Sequence, residues 1–249
     1  MMRPVLAAAA ATMFIPLAAS AQLMPLQDEL PWGARLRITP YVGLAPAVTR
    51  VENYLVELDG TVTEGRYEID FGSGQAVGAD IEVRVYDRFS LLAGGTYIRR
   101  GETIEFAEAT GSFSQREGTN FLMAKAGLAV RLTEGVSEMQ LRQLSASVYV
   151  APTYIREMPR ADVRQDPLLL EDITTWGVSV GLDAEIPLGS ERLAARVGIE
   201  DVVTFWNEDE LASRNDALFA QGGLDSNTTV KADLTHQWLI RAGLTFRLN

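Results

Sequence analysis

The chain has 249 residues, no cysteine, one histidine and a formal net charge of −11. The lack of cysteine excludes disulfides, thiol catalysis and thiolate metal sites, and the acidic balance argues against nucleic acid as a partner. No run of about 18 apolar residues follows residue 21, which excludes a helical membrane protein. No linker or change in composition divides the later sequence, so we expect one domain.

The N-terminal segment has the pattern of an export signal. Met1-Met2-Arg3 supplies a positive start, Pro4 to Leu17 forms a short alanine-rich apolar core, and Ala19-Ser20-Ala21 is typical of a cleavage site. We therefore predict a signal peptide over residues 1–21 and an exported domain over residues 22–249. Because Arg3 is the only charge removed, the mature chain carries a net charge of −12.

Eight segments of the mature sequence alternate apolar and polar residues with the period of two that strands have. Each is about 9 to 12 residues long, the length with which a tilted strand crosses a bilayer. Segment 89–98 has an uncertain register because Leu92 and Ile98 make its second face apolar as well. The apolar rows, in chain order, are Leu36, Ile38, Val42 and Leu44; Val77, Ala79, Ile81, Val83 and Val85; Phe89, Leu91, Ala93, Gly95 and Tyr97; Leu122, Ala124, Ala126, Leu128 and Val130; Leu144, Ala146, Val148, Val150 and Tyr154; Trp176, Val178, Val180, Leu182, Ala184 and Ile186; Leu193, Ala195, Val197 and Ile199; and Trp238, Ile240, Ala242, Leu244, Phe246 and Leu248.

The connections between these segments alternate between short and long. Four long connections are expected as loops over residues 45–73, 99–119, 156–175 and 203–235. A barrel that inserts from one side of a membrane has short turns inside and long loops outside. The sequence therefore predicts an all-β fold: a closed antiparallel eight-stranded transmembrane β-barrel with up-and-down topology, closed by its last strand against Leu36, Ile38 and Val42.

Aromatic residues support this arrangement, because amphipathic rings gather at membrane interfaces. Tyr97, Tyr154, Trp176 and Trp238 all lie on apolar rows at the strand ends that the topology places outermost. Phe89 and Phe246 lie at the opposite ends, so the sequence predicts an outer and an inner aromatic girdle.

A periplasmic sandwich or a lipocalin-like barrel is the structural alternative, since alternation describes any antiparallel sheet with one wet face. Those folds turn their charges to water. Here the polar rows place many Gly, Ala or Ser residues between charges, which suits a narrow lumen. Pro40 lacks the N–H that a closed barrel needs, so we expect a bulge or bend there.

The signal, the eight rows, the loop pattern and a terminal strand containing Phe246 resemble small outer-membrane barrels of the OmpA transmembrane-domain, OmpX and OmpW type. The resemblance covers essentially the whole mature chain and is architectural. It implies a monomer in the outer membrane of a Gram-negative envelope, exported through the periplasm. Its expected partners are outer-membrane lipids, including lipopolysaccharide, and the outer-membrane assembly machinery. The ending Phe246-Arg247-Leu248-Asn249 departs from the terminal aromatic residue of many relatives.

The polar rows would fill the lumen with charges, and charges in so narrow a space must be paired. A salt-bridge plug is one interpretation, and a small pore is the other. The plug would suit a structural or surface-interaction role through four long acidic loops. The pore would suit a narrow porin-like channel for small solutes or ions. The expected lumen charges are Arg35, Arg37, Asp80, Glu82, Arg84, Lys125, Arg131, Asp183, Glu185, Arg192, Arg196, Glu200, Arg241 and Arg247.

The four long connections contain 21 acidic and 10 basic residues. Glu57 with Asp59, or Glu208-Asp209-Glu210, could bind a divalent cation, but no EF-hand-like spacing occurs, and a solvated acidic face is the favoured interpretation. In the last connection a short helix is expected, with Asn207 as its cap, an apolar stripe and a glycine end. The stripe and end are Leu211, Leu218, Phe219, Gly222 and Gly223.

A lipid-modifying barrel enzyme is the remaining alternative. His236 is the only histidine and precedes Trp238 near the outer interface, with Ser226 and Asp233 nearby in sequence. These residues match no known spacing, and a catalytic triad is recognised by geometry. We therefore predict no enzyme activity, no catalytic residue, no cofactor-binding residue and no metal ligand.

Overall fold

The computed structural model describes residues 36–58, 60–108, 111–132, 145–160, 172–190, 192–221 and 226–248. The predicted signal peptide lies outside the described residues. None of the helices in these ranges is long and apolar enough to cross a membrane. The elements are β1 (Leu36–Ala45), β2 (Val48–Leu58), β3 (Thr61–Tyr86), β4 (Phe89–Glu108), β5 (Gly111–Arg131), β6 (Ser145–Pro159), β7 (Ile173–Ser190), β8 (Leu193–Phe205), α1 (Glu208–Gln221), β9 (Ser226–Ala232) and β10 (Thr235–Leu248).

Eight of the ten strands hydrogen-bond into a closed antiparallel ring, in the order β1-β3-β4-β5-β6-β7-β8-β10. The ring closes where β10 pairs with β1, from Leu36 opposite Leu248 to Leu44 opposite Ile240. Every strand pair in the ring is antiparallel, and the chain order is up-and-down. The predicted barrel and its closing strand are therefore confirmed.

Outside the ring, β2 and β9 extend one end of the barrel, and this end is called the outer end below. β2 pairs with the first part of β3 and, on its other side, with β9. Leu58 lies opposite Ser226 in the same register that places Leu36 opposite Leu248. The pairing of β1 with β10 that closes the ring is therefore continued beyond it by β2 and β9.

The prediction of long loops was wrong for much of the chain. β3, β4 and β5 contain 26, 20 and 21 residues, whereas about 9 to 11 suffice to cross a bilayer. The first two predicted loops are hairpin extensions of the ring strands, and the first turns at Gly60, which has a φ of 77°. Pairing between neighbouring strands satisfies backbone N–H and C=O groups that a loop would leave to water.

The two faces of the ring follow the predicted rows. On β4, Phe89 and Leu91 are 46% and 49% exposed and point outward, whereas Leu92 and Ile98 are each 2% exposed and point inward. The uncertain register of this strand is thereby resolved in favour of the predicted row. The outward face is an apolar belt that no other part of the described chain covers.

Pro40 produces no bulge. The ladder between β1 and β10 skips Thr39 and Pro40, then resumes at Tyr41 with the same offset, so no extra residue is inserted. On its other side, Pro40 pairs in register with Ala79 of β3. The strand tolerates the missing donor because the ladder on both sides of the gap holds the register.

The predicted helix is confirmed, although it belongs to the outer end of the barrel and not to a free loop. The Asn207 carbonyl accepts a hydrogen bond from the Leu211 amide at 3.0 Å, as expected for a cap. Leu211 is completely buried, and Phe219 packs against the same cluster. The side chain of Leu218 and the predicted end at Gly222 and Gly223 lie outside the described residues.

Candidate functional site

The inner part of the lumen holds a network of buried ion pairs centred on Arg241. Its guanidinium donates to Asp80 at 2.5 Å and to Asp183 at 2.8 and 2.9 Å, and lies 3.5 Å from Glu200. The Lys125 ammonium lies 2.7 Å from Glu200 and 3.4 Å from Asp80. None of these five residues is more than 6% exposed, so each charge depends on its partners for compensation.

The network continues toward the inner end of the barrel. Arg196 donates to Asp183 at 2.6 Å and also binds Glu82. Arg37 lies 3.8 Å from Glu82 and 3.7 Å from Glu185. The inward charges of the described residues are therefore mostly paired with one another across the lumen.

Most of the expected lumen charges occupy the predicted positions. Arg192 does not, because it lies exposed in the turn between β7 and β8. Arg131 and Arg247 are partly exposed, and Arg35 lies outside the described residues. The buried members of the predicted set are Arg37, Asp80, Glu82, Arg84, Lys125, Asp183, Glu185, Arg196, Glu200 and Arg241.

Small residues make room for this network. The Tyr149 ring lies 4.7 Å from the Lys125 ammonium and 5.1 Å from the Arg241 guanidinium. A Cβ added to Gly181 would lie 2.1 Å from that ring, and one added to Gly198 would lie 1.9 Å from the Asp183 carboxylate. The glycines on the polar rows are thus positions where a larger neighbour fills the lumen.

Apolar side chains separate the inner network from the outer end of the lumen. They are at most 5% exposed and belong to one continuous cluster. Hydroxyl groups among them bind one another, as Thr153 and Ser179 do at 2.6 Å. The members of this cluster on the ring strands include Tyr41, Ile98, Phe121, Met123, Ile155, Val202 and Leu239.

A second set of buried charges lies beyond this apolar layer, in the part of the lumen that we call the outer chamber and define by Arg50, Glu52, Arg100, Glu157 and Arg214. Arg50 is completely buried; its Nε lies 2.7 Å from Glu52, and its terminal nitrogens bind Glu157. Arg214 of α1 donates to both Glu52 oxygens at 2.9 and 3.1 Å. These contacts join α1 to the barrel wall.

The ionisation of Glu52 depends on its two arginine partners. Burial opposes the charged form, but Arg214 and Arg50 outweigh it and hold the pKa of this carboxyl below its usual value. Glu52 therefore remains ionised at neutral pH.

The sequence analysis missed this chamber because it assigned all five residues to loops. No apolar alternation marks β2 in the sequence, because the charged residues Arg50 and Glu52 occupy its inward face.

Helix α1 lies against the outer end between β9 and β7. The Glu210 carboxylate accepts hydrogen bonds from the Thr174 amide and hydroxyl, both at 2.6 Å. The Trp206 indole donates to the Thr235 hydroxyl at 2.8 Å, and its ring lies 4.1 Å from the Arg50 guanidinium. One of the three acidic residues considered as cation ligands thus docks the helix.

Metal ligation finds no support among the residues that the structure describes, which contain no group of three or more His, Asp or Glu side chains placed to share an ion. Glu57 lies exposed on β2, and Asp59 lies outside the described residues.

His236 has a partner that the sequence analysis did not name. Its Nδ1 lies 2.7 Å from the Asp201 carboxylate on β8, on the outward face beside Trp238. The Ser226 hydroxyl donates instead to Asp216 at 2.8 Å. The described contacts therefore do not assemble Ser226, Asp233 and His236. Sequence could not pair His236 with Asp201, because their meeting depends on the register between β8 and β10.

No family model matches the sequence, and no curated protein matches it either. Solved structures do match. The outer membrane protein OprG from Pseudomonas aeruginosa superposes with a TM-score of 0.54 at 11% identity, over 89% of this chain and 100% of that one. This chain has the fold of small outer-membrane β-barrel proteins. Neisserial surface protein A matches at 8% identity and a TM-score of 0.42, over 87% and 99% of the two chains.

In an outer-membrane β-barrel the outward belt meets lipid, and aromatic rings mark its borders. Trp176 and Trp238 are 61% and 48% exposed and Tyr97 is 38% exposed, all on the outward face. The Tyr154 and Trp176 rings meet edge to face with centroids 5.5 Å apart. These are the four residues of the predicted outer girdle.

Proposed function

We propose that the protein is a closed, non-conducting outer-membrane barrel that acts through the surface it presents outside the cell. The observation that carries this proposal is the side-chain packing of the inner lumen. The inner network of ion pairs and the apolar layer follow one another along it. An eight-stranded barrel leaves room for little besides its own side chains.

The outer surface supports a role in interaction. Part of the predicted loop charge is buried, because Glu52, Glu102 and Glu157 point inward. The exposed remainder is still mainly acidic, and long protruding strands hold it well beyond the belt. We propose that this surface receives basic partners, whereas the belt contacts outer-membrane lipids, including lipopolysaccharide. Among the described residues, the exposed acidic side chains of the outer end are Glu57, Glu64, Asp70, Glu105, Asp172, Asp209 and Asp233.

The alternatives have weaker support. A porin-like channel would need a continuous polar path through the apolar layer around Phe121 and Leu239. A lipid-modifying enzyme would need a nucleophile beside His236, and the contacts of the described residues give it only Asp201. We therefore propose no catalytic role.

A conductance measurement tests the closed barrel. The full chain, refolded into a planar lipid bilayer in concentrated potassium chloride, is expected to show no discrete opening steps, because ion pairs and apolar side chains occlude the lumen. A porin refolded in the same way serves as the positive control for insertion. Steady, reproducible openings of the wild-type chain would contradict the proposal.

Single-cysteine labelling tests the orientation of the barrel in the membrane. Because the sequence contains no cysteine, each variant carries one reactive thiol at a known position. On intact cells, a membrane-impermeant maleimide should label Glu57→Cys and Asp209→Cys, which lie exposed at the outer end. Arg88→Cys, exposed in the turn between β3 and β4, should react only after the outer membrane is permeabilised. If only Arg88→Cys were labelled on intact cells, the end of the barrel that carries Arg88 would face outside the cell, and the proposed orientation would be wrong.

A further inference from the structure

Arg100 stands apart from the other arginines of the outer chamber. It lies on β4 beside a β-bulge, where the pairing with β3 shifts between Phe71 and Gly74. The Arg100 side chain points inward and is 2% exposed, whereas its neighbour Arg99 points outward and is exposed.

The Arg100 guanidinium makes no hydrogen bond within the described part of the chain. Its Nε, Nη1 and Nη2 are all buried, and none of them has a hydrogen-bond partner there. The guanidinium lies over the Phe121 ring, whose centroid is 5.3 Å away. By contrast, Arg50 and Arg214 in the same chamber each bind a carboxylate. Buried N–H groups without hydrogen bonds are costly, so these groups call for a partner.

Arg100 is nevertheless charged at neutral pH. Burial, opposed by the nearby Glu157 carboxylate, lowers its pKa to about 10, which is still far above neutrality. The Glu157 carboxylate offsets part of this charge, but no Arg100 nitrogen hydrogen-bonds to it. The full set of guanidinium donors is therefore available inside the chamber.

A second unsatisfied group lies on α1, next to the arginine that joins this helix to Glu52. Asn215 follows Arg214 on the inward face of α1, is completely buried, and leaves both its amide nitrogen and its amide oxygen without a hydrogen-bond partner among the described residues. A planar guanidinium matches the paired oxygens of a carboxylate or phosphate group. An amide adds one donor and one acceptor for the rest of a bound molecule.

We propose that the outer chamber is a binding site for a small oxyanion, a molecule bearing a carboxylate or phosphate group, which Arg100 binds in bidentate fashion. The apolar layer with Ile98 and Phe121 forms the floor of the site. The ion pairs of Arg50 with Glu52 and Glu157 form its walls. This site is independent of conduction, since it lies on the outer side of the layer that closes the lumen.

Anion-dependent thermal unfolding tests the site with a matched pair of variants. The full refolded chain is heated in detergent micelles at constant ionic strength in chloride, acetate or phosphate. We expect acetate or phosphate to raise the melting temperature of wild type and of Arg99→Met by about 3–6 °C. The rise should vanish in Arg100→Met. The acetate and phosphate arms distinguish a carboxylate from a phosphate ligand.

A merely structural arginine would behave differently. In chloride, Arg100→Met should melt no lower than wild type, because methionine removes a buried guanidinium with unsatisfied N–H groups and keeps an apolar stem. Equal stabilisation of wild type and Arg100→Met by acetate and phosphate, or stabilisation of neither, would overturn the proposal.

Arginine Nε–H resonances of the wild type give a second measurement that needs no variant. One buried resonance should shift saturably with acetate or phosphate, and its absence from the Arg100→Met spectrum would assign it. If every arginine resonance stays unmoved through the titration, the site does not exist.

Discussion

Replacing Arg241 with methionine is expected to lower the free energy of unfolding of the refolded barrel by about 3–5 kcal/mol. Arg241 contacts Asp80, Asp183 and Glu200, all of which are at most 2% exposed. Its removal leaves buried carboxylates with too few cations, and breaking a buried pair costs more than the pair itself contributes. Urea unfolding in lipid vesicles, followed by tryptophan fluorescence, measures the change.

Two further variants test the cause. Arg192→Met removes an exposed cation from the turn between β7 and β8, and is expected to change stability by less than about 0.5 kcal/mol. Adding Asp183→Asn to Arg241→Met should recover part of the loss, since it removes one uncompensated charge. A loss below about 1 kcal/mol for Arg241→Met would mean that the lumen is wet enough to screen these charges.

The second large effect is expected at Gly181. A Cβ there would lie 2.1 Å from the Tyr149 ring, which is itself fixed between Lys125 and Arg241. Gly181→Val should therefore cost about 3 kcal/mol or prevent refolding, because overpacking displaces a ring that has no free space to enter. Heat-modifiable migration on gels reports folding, and urea unfolding gives the magnitude.

A glycine on the outward face provides the control. Nothing lies within 4 Å of a Cβ added to Gly101, so Gly101→Val should fold normally. In a Tyr149→Ala background, Gly181→Val should cost less than about 1 kcal/mol, since the clashing ring is gone. An undiminished cost in that background would place the strain in the backbone and not in the lumen.

The membrane-spanning part of the barrel could be read from the sequence because the bilayer imposes a rule on every strand. Residues such as Val42 and Ile240 must be apolar where they meet lipid, while their neighbours Gly43 and Arg241 point to the lumen. That rule gives a period of two, which fixed the eight rows and the closing pair of β1 and β10. Even Phe89 and Leu91, on the least certain strand, point the way the pattern indicated.

The outer end could not be read in the same way, since water on the outside removes the requirement for apolar rows. Glu52 and Arg50 share the inward face of β2, yet neither shows an apolar alternation that would mark a strand. Their identification as loop residues was wrong for that reason. Arg192 was misplaced for the converse reason: it continues a polar row in sequence, but the turn leaves it exposed.

By itself, the sequence determined the fold class, the faces of the strands and the presence of charges in the lumen, because a period-two pattern is a local property of the chain. Only the tertiary structure decided which charges meet. Arg241 with Asp80, His236 with Asp201, and Arg50 with Glu157 are distant in sequence and are joined by strand register and barrel closure. The lack of a hydrogen-bond partner for Arg100 among the described residues was likewise decided by the tertiary structure, since only the packed interior shows which groups each guanidinium reaches.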